Sequence, residues 1–173
     1  MQIGLSFTVA PANVDERVRD GEAPKDYAGR LALDKARAAA SRRKEGIVIA
    51  ADTIVVVGNA ILGKPSNPAD AHRMLSVLSG KGHEVITGLA VVDAATGQFT
   101  VRTSATQVRF RDLSDREIAA YIATGEPLDK AGAYGIQERG ALLVERIEGC
   151  YSNVVGLPLS LLGEMLREFG VYL

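Results

Sequence analysis

The sequence predicts an α/β domain in which a mixed β-sheet is flanked by helices, and three observations carry that expectation. A run of eleven strand-forming positions, residues 47–57, is apolar except for Asp52-Thr53 at its centre. Helical apolar stripes occupy residues 25–44 and 67–78, on either side of that run. The predicted order β-α-β-β-α-β-β-α-β-α needs both hairpins and crossovers, and so a sheet of mixed direction. At 173 residues the chain suits one domain, 1–173, with a substantial core.

In chain order, Ile3, Leu5, Phe7 and Val9 alternate and predict a short strand over residues 2–9. Pro11, Asn13, Gly21 and Pro24 keep the following segment irregular. A helix is expected from Lys25 to Lys44, with Ala28, Leu31, Ala32 and Lys35 on one stripe that turns Lys35 toward the buried side. Gly46 ends it, the long strand follows, and Gly58-Asn59 forms a hairpin turn into Ala60-Ile61-Leu62. Asn67 and Pro68 are the cap and first turn of a second helix whose core face is Ala71, Met74, Leu75 and Leu78.

Strands are expected over residues 83–93 and 98–110. Ser114-Asp115-Arg116-Glu117 then reads as a capping box for a third helix, with Ile118, Tyr121 and Ile122 facing in. A glycine-rich stretch, 129–140, leads to a strand over 141–147. A connection over 149–158 precedes a last helix that starts at Pro158.

Hydrophobic residues form 47% of the chain and charged residues 24%, which excludes a disordered chain. A net charge of −1 offers no field for nucleic acid or an anionic membrane, and Arg42-Arg43-Lys44 reads as a solvated helix end. The single cysteine, Cys150, rules out an internal disulfide and points to a reducing compartment. No apolar stretch reaches the roughly 20 residues of a membrane span and the start lacks signal-peptide features, so a cytoplasmic location is expected.

Asp52 is the most informative position. A carboxylate inside a buried strand must be paired, hydrogen-bonded or bound to a metal, because a bare buried charge is prohibitively costly. A capped strand end and a functional site both meet that need. Lys64 follows Gly63 and precedes Pro65, which either holds it at a defined place near the partner strand or leaves it an ordinary surface lysine in a turn. Asp129, Lys130 and Gln137 sit among small residues that let a ligand approach the backbone. Asp15-Glu16 offers a second acidic position; two carboxylates on one Mg²⁺, with lysines nearby, are a common arrangement for phosphate hydrolysis. Neither a P-loop nor a dinucleotide fingerprint occurs, and His72, His83 and Cys150 do not have zinc-site spacing.

A set of segments is found together in order: Val14-Asp15-Glu16, Leu31-Ala32-Leu33-Asp34-Lys35-Ala36, Ala51-Asp52-Thr53, Leu62-Gly63-Lys64-Pro65, Leu78-Ser79-Gly80, His83-Glu84-Val85, the run from Gly125 to Gln137, and Asn153-Val154-Val155-Gly156-Leu157-Pro158. With these segments the chain resembles the Maf (septum-formation) family of nucleoside triphosphate pyrophosphatases over nearly its whole length. The resemblance implies an inosine-triphosphatase-like α/β architecture and cleavage of a nucleoside triphosphate between its α and β phosphates. It also implies a divalent cation, Mg²⁺ or Mn²⁺, and a cytoplasmic homodimer.

By motif, Asp52 takes the proton-acceptor position, Glu16 joins it in metal binding, and Lys35 and Lys64 bind phosphates. Thr53 and Gln137 take the base-selecting positions, in the combination of the dTTP/UTP branch. Family members carry a strand and a Ser-x-Ser-Pro-Arg-Arg loop ahead of the segment matching Ile3-Gly4-Leu5-Ser6-Phe7. Met1 falls just before that segment, so two expectations stay open: a start that lies further upstream than Met1, or a truncated variant with a weaker phosphate grip and an exposed strand edge. Two rival readings stay open on sequence alone: a non-catalytic nucleotide-binding regulator of cell division, and an inosine-triphosphatase-like enzyme.

Overall fold

A computed structural model describes residues 4–173. Its frame is a five-stranded sheet with strand order β2-β1-β3-β4-β5. The strands are β1 (Ile47–Val57), β2 (Ala60–Leu62), β3 (Gly82–Asp93), β4 (Phe99–Phe110) and β5 (Val144–Glu148). The helices are α1 (Pro24–Ala40), α2 (Pro68–Leu78), α3 (Asp115–Ile122), α4 (Tyr151–Val155) and α5 (Leu159–Arg167). The expected α/β single domain is found, but each pairing among the described residues is antiparallel rather than mixed. The reason lies in α2, which carries the chain across β1. Strands β2 and β3 thus run the same way, yet β1 lies between them and pairs antiparallel to both.

Strand β3 is central and buried on both faces. Its even positions, Ile86, Ala90 and Val92, pack with α1 through Ala28, Leu31, Ala32 and Ala36. Odd positions face the other layer, where Val85 meets α2 and α3 and Leu89 and Val91 meet α5. The same alternation in β1 turns Val48 and Ile54 toward α1, and Ile47, Ile49 and Val55 the other way.

Helix starts follow local chemistry. Asn67 accepts a 2.9 Å bond from the Asp70 amide at the start of α2, and Ser114 and Glu117 form the expected capping box. Further expectations fail. Residues 4–9 are irregular, with Phe7 and Val9 exposed, because among the described residues no strand pairs with them and an isolated strand leaves its backbone groups unbonded; Ile3 lies outside the described residues. The 149–158 connection contains a short helix, α4, closed by Gly156 at φ 116°. The glycine-rich stretch forms three short 3-10 turns, and the strand after it begins at Val144. No helix among the described residues is long and apolar enough to cross a membrane.

Candidate active site

A cleft of about 560 Å³ crosses the edge of β1 where β2 stops pairing with it. All six residues singled out by motif line it: Glu16, Lys35, Asp52, Thr53, Lys64 and Gln137. Strand alternation explains how one cleft reaches two layers. Asp52 shares the face of β1 that carries Val48 and Ile54, against α1, whereas the next side chain, Thr53, points into the opposite layer. The last hairpin pair is Val55↔Leu62, so the edge beside Asp52 and Thr53 is open to the cleft.

On the α1 side, Lys35 Nζ donates to Asp52 Oδ1 at 2.5 Å and lies 2.7 Å from Glu16 Oε1. Lys35 reaches this point because its helical stripe is otherwise small and apolar, which lets α1 sit close to the sheet. At Gly88, the register partner of Asp52, an added Cβ would stand 2.1 Å from the Ala28 carbonyl oxygen. Glu16 is placed by its backbone, since Tyr27 Oη donates to its carbonyl at 2.7 Å. Arg30 clamps the same segment through Glu22 and the Arg17 carbonyl. Asp15, the other member of the acidic pair, is exposed and bound to Arg17.

Electrostatics follow from this half-buried arrangement. Burial pushes the Asp52 carboxyl above the ordinary aspartate value, and the hydrogen bond from Lys35 pulls against it without cancelling it. Burial opposes the Lys35 ammonium, but its bonds to Asp52 and Glu16 outweigh that and raise its pKa. Lys64 lines the cleft and adds positive potential at Asp52, and among the described residues it forms no ion pair.

Across the cleft, the Gly132 amide bonds to the Gly63 carbonyl at 2.9 Å, seating the glycine-rich segment beside Lys64. Gly132 itself has φ 67° and lies so near Val55 that a Cβ would meet that side chain at 2.9 Å. Tyr121 Oη accepts from the Gly135 amide and donates to Glu126, whose carboxylate also accepts from the Gly140 amide. These bonds shape the turn that presents Gln137. Beneath it, Tyr134 Oη and His83 Nε2 are 2.8 Å apart, and both rings pack edge-on against Phe110.

Residues 1–169 match the family model described as Maf-like protein. The chain belongs to the Maf family. Among curated relatives, the dTTP/UTP pyrophosphatase of Moorella thermoacetica is 54% identical over 98% of this chain and 88% of its own length. The protein of the same name from Geobacter sulfurreducens is 52% identical, covering 96% of this chain and 87% of the relative. That of Desulforamulus reducens is 48% identical, with 98% and 88% covered.

The carboxylates of this Maf domain bear on a divalent cation. Among the described residues no three-residue His, Cys, Asp or Glu cluster suits a metal. Two carboxylates, of Asp52 and Glu16, do converge on a single positive atom, Lys35 Nζ. Two carboxylates suit a hard cation whose remaining ligands are phosphate oxygens and water. Tyr27 also lines this Maf cleft and Thr87 lies behind Thr53, both outside the motif segments, while Glu126, Tyr134 and Asn153 belong to those segments but had no role from sequence. The sequence signal for Thr87 was a polar residue inside an apolar strand, and for Asn153 its place before Val154-Val155-Gly156.

Proposed function

We propose that this chain hydrolyses dTTP and UTP to the corresponding monophosphate and pyrophosphate. The observation that carries the reading is the Glu16–Lys35–Asp52 cluster, carboxylate, ammonium and carboxylate, set in a cleft that also takes in Lys64 and Thr53. Names shared by relatives about half identical over nearly the whole chain supply the substrate class.

In this reading Asp52 accepts the proton of the attacking water, a role that its raised pKa suits, because a more basic carboxylate is a better acceptor at neutral pH. Lys35 and Lys64 hold and neutralise phosphate oxygens. Asp52 and Glu16 would hold the divalent cation, Mg²⁺ or Mn²⁺, which when bound supplies charge neutralisation of the phosphates. Gln137 and Thr53 meet the base, a side-chain amide offering both a donor and an acceptor to a pyrimidine edge. The reading carries with it one domain over 1–173 and a cytoplasmic homodimer. Its partner is a nucleoside triphosphate, and neither nucleic acid nor membrane has a part.

Pyrophosphate release from dTTP, UTP, ITP and the other triphosphates with Mg²⁺ or Mn²⁺ tests this directly. Turnover of dTTP and UTP ahead of ITP is the expected result. Binding without release from any triphosphate would favour the regulator instead.

A further inference from the structure

We propose that Thr87 fixes the hydrogen-bond polarity of Thr53, leaving Thr53 as an acceptor that selects pyrimidines with a ring N–H, uracil and thymine, over cytosine. The proposal rests on the assignment of Thr53 to the base side of the cleft. It follows from counting protons in the layer behind that residue.

Thr87 is fully buried, and its Oγ1 lies 3.0 Å from the Asn153 carbonyl oxygen and 2.9 Å from Thr53 Oγ1. A carbonyl only accepts, so the single Thr87 hydroxyl proton is committed to Asn153. The remaining contact then needs the Thr53 proton, which points back into the protein. Thr53 therefore offers the cleft lone pairs alone.

The carbonyl that anchors this chain is itself held rigidly. Asn153 Nδ2 donates to the Val85 carbonyl at 3.0 Å and to Thr106 Oγ1 at 3.1 Å. Thr106 Oγ1 in turn accepts from the Cys150 amide and donates to the Cys150 carbonyl, which locks the start of α4. The Asn153 carbonyl accepts the Gly156 amide with its second lone pair. Turning the Thr87 proton toward Thr53 instead would leave the Thr87 and Asn153 oxygens 3.0 Å apart with no proton between them.

The chemistry of the bases does the rest. Uracil and thymine carry N3–H, a donor that an acceptor-only hydroxyl can meet. Cytosine presents a bare N3 at the same place, and two facing acceptors leave both unbonded in a desolvated site. Thr87 is a positioning residue here, since it acts on the base only through Thr53.

The test compares UTP with CTP, and UMP with CMP in calorimetric binding, for the full chain and three variants. Thr87→Val removes the acceptor for the Thr53 proton and is expected to lower the UTP-to-CTP ratio of kcat/KM about tenfold or more, mainly by improving CTP. Thr87→Ser keeps the hydroxyl and the ratio. In Thr53→Val the preference for UTP over N3-methyl-UTP is expected to vanish, a result that stands even if Thr87→Val folds poorly.

An unchanged ratio in folded Thr87→Val, or equal use of UTP and N3-methyl-UTP by the unmodified chain, overturns the proposal. Absence of pyrophosphate release alongside a Thr87-dependent preference for UMP over CMP would overturn the hydrolytic reading and leave this one standing.

Discussion

Lys35 and Asp52 are joined by a 2.5 Å hydrogen bond between the fourth turn of α1 and the middle of β1. The contact ties a helix that begins upstream of the sheet to the strand bearing the half-buried Asp52 carboxylate. Because Glu16 meets the same ammonium, one lysine balances two acids, and changes at each corner have distinct consequences.

Replacing Asp52 by Asn removes the proposed proton acceptor and keeps the shape. Pyrophosphate release from dTTP is expected to fall by at least about 100-fold, with the melting temperature little changed. Activity within a few-fold of the parent chain would remove Asp52 from the chemistry.

Lys35→Met leaves Asp52 and Glu16 facing one another with no cation between them. The metal-free variant is expected to melt below the parent, and Mn²⁺ to raise its melting temperature by more than it raises the parent's. Differential scanning fluorimetry with and without Mn²⁺ reads both effects. Equal responses would mean that the two carboxylates do not share a cation.

Gly88→Ala puts a Cβ about where the α1 backbone already lies, 2.1 Å from the Ala28 carbonyl oxygen and 2.6 Å from the Gly29 nitrogen. Helix α1 must move off the sheet, at a cost of about 2–3 kcal/mol in urea unfolding. The same displacement draws Lys35 from Asp52, so KM for the triphosphate should rise as stability falls. A variant as stable as the parent would show that the helix is not held at contact distance.

His83 supplies a pH signature. Burial holds its imidazole neutral down to about pH 4, while the unfolded chain takes up a proton near the ordinary value of about 6.5. Between those values the unfolded state binds more protons. The contribution of His83 is therefore present in full above pH 6.5 and is lost on acidification, by up to about 1.4 kcal/mol per pH unit. Urea unfolding from pH 4.5 to 6.5 should show a flatter profile for His83→Gln than for the parent chain. Parallel profiles would mean that His83 titrates normally in the fold.

Most of the frame was legible because it is written in local chemistry. The Asn67 cap, the Ser114–Glu117 box and the Gly58-Asn59 turn each act within a few residues, and the structure has them where the sequence put them. What was not legible depends on partners distant in the chain. Ile3, Leu5, Phe7 and Val9 alternate as a strand would, but alternation cannot report whether another strand lies alongside. Sheet direction was hidden too, since nothing in the residues of α2 says that it crosses over β1. Helix α4 is only five residues long and follows Cys150, which gives it no side-chain cap, so its apolar pattern is too short to register. The candidate site was legible through motif order, which names Asp52, Lys35 and Glu16 and includes Asn153 without a role, but leaves out Thr87. Thr87 and Asn153 act through hydrogen bonds between residues 66 apart in sequence, and a linear pattern does not carry that.

The alternation of β1 has an evolutionary consequence. Asp52 and Thr53 are neighbours in sequence, yet each answers to a different neighbourhood: α1 for one, the Thr87–Asn153 layer for the other. On the proposed roles of Asp52 and Thr53, selection on base preference works among residues that never meet the bond being cut. A single peptide link then separates the two, and lineages built on this frame are free to diversify in what they recognise while inheriting an unaltered way of cutting it.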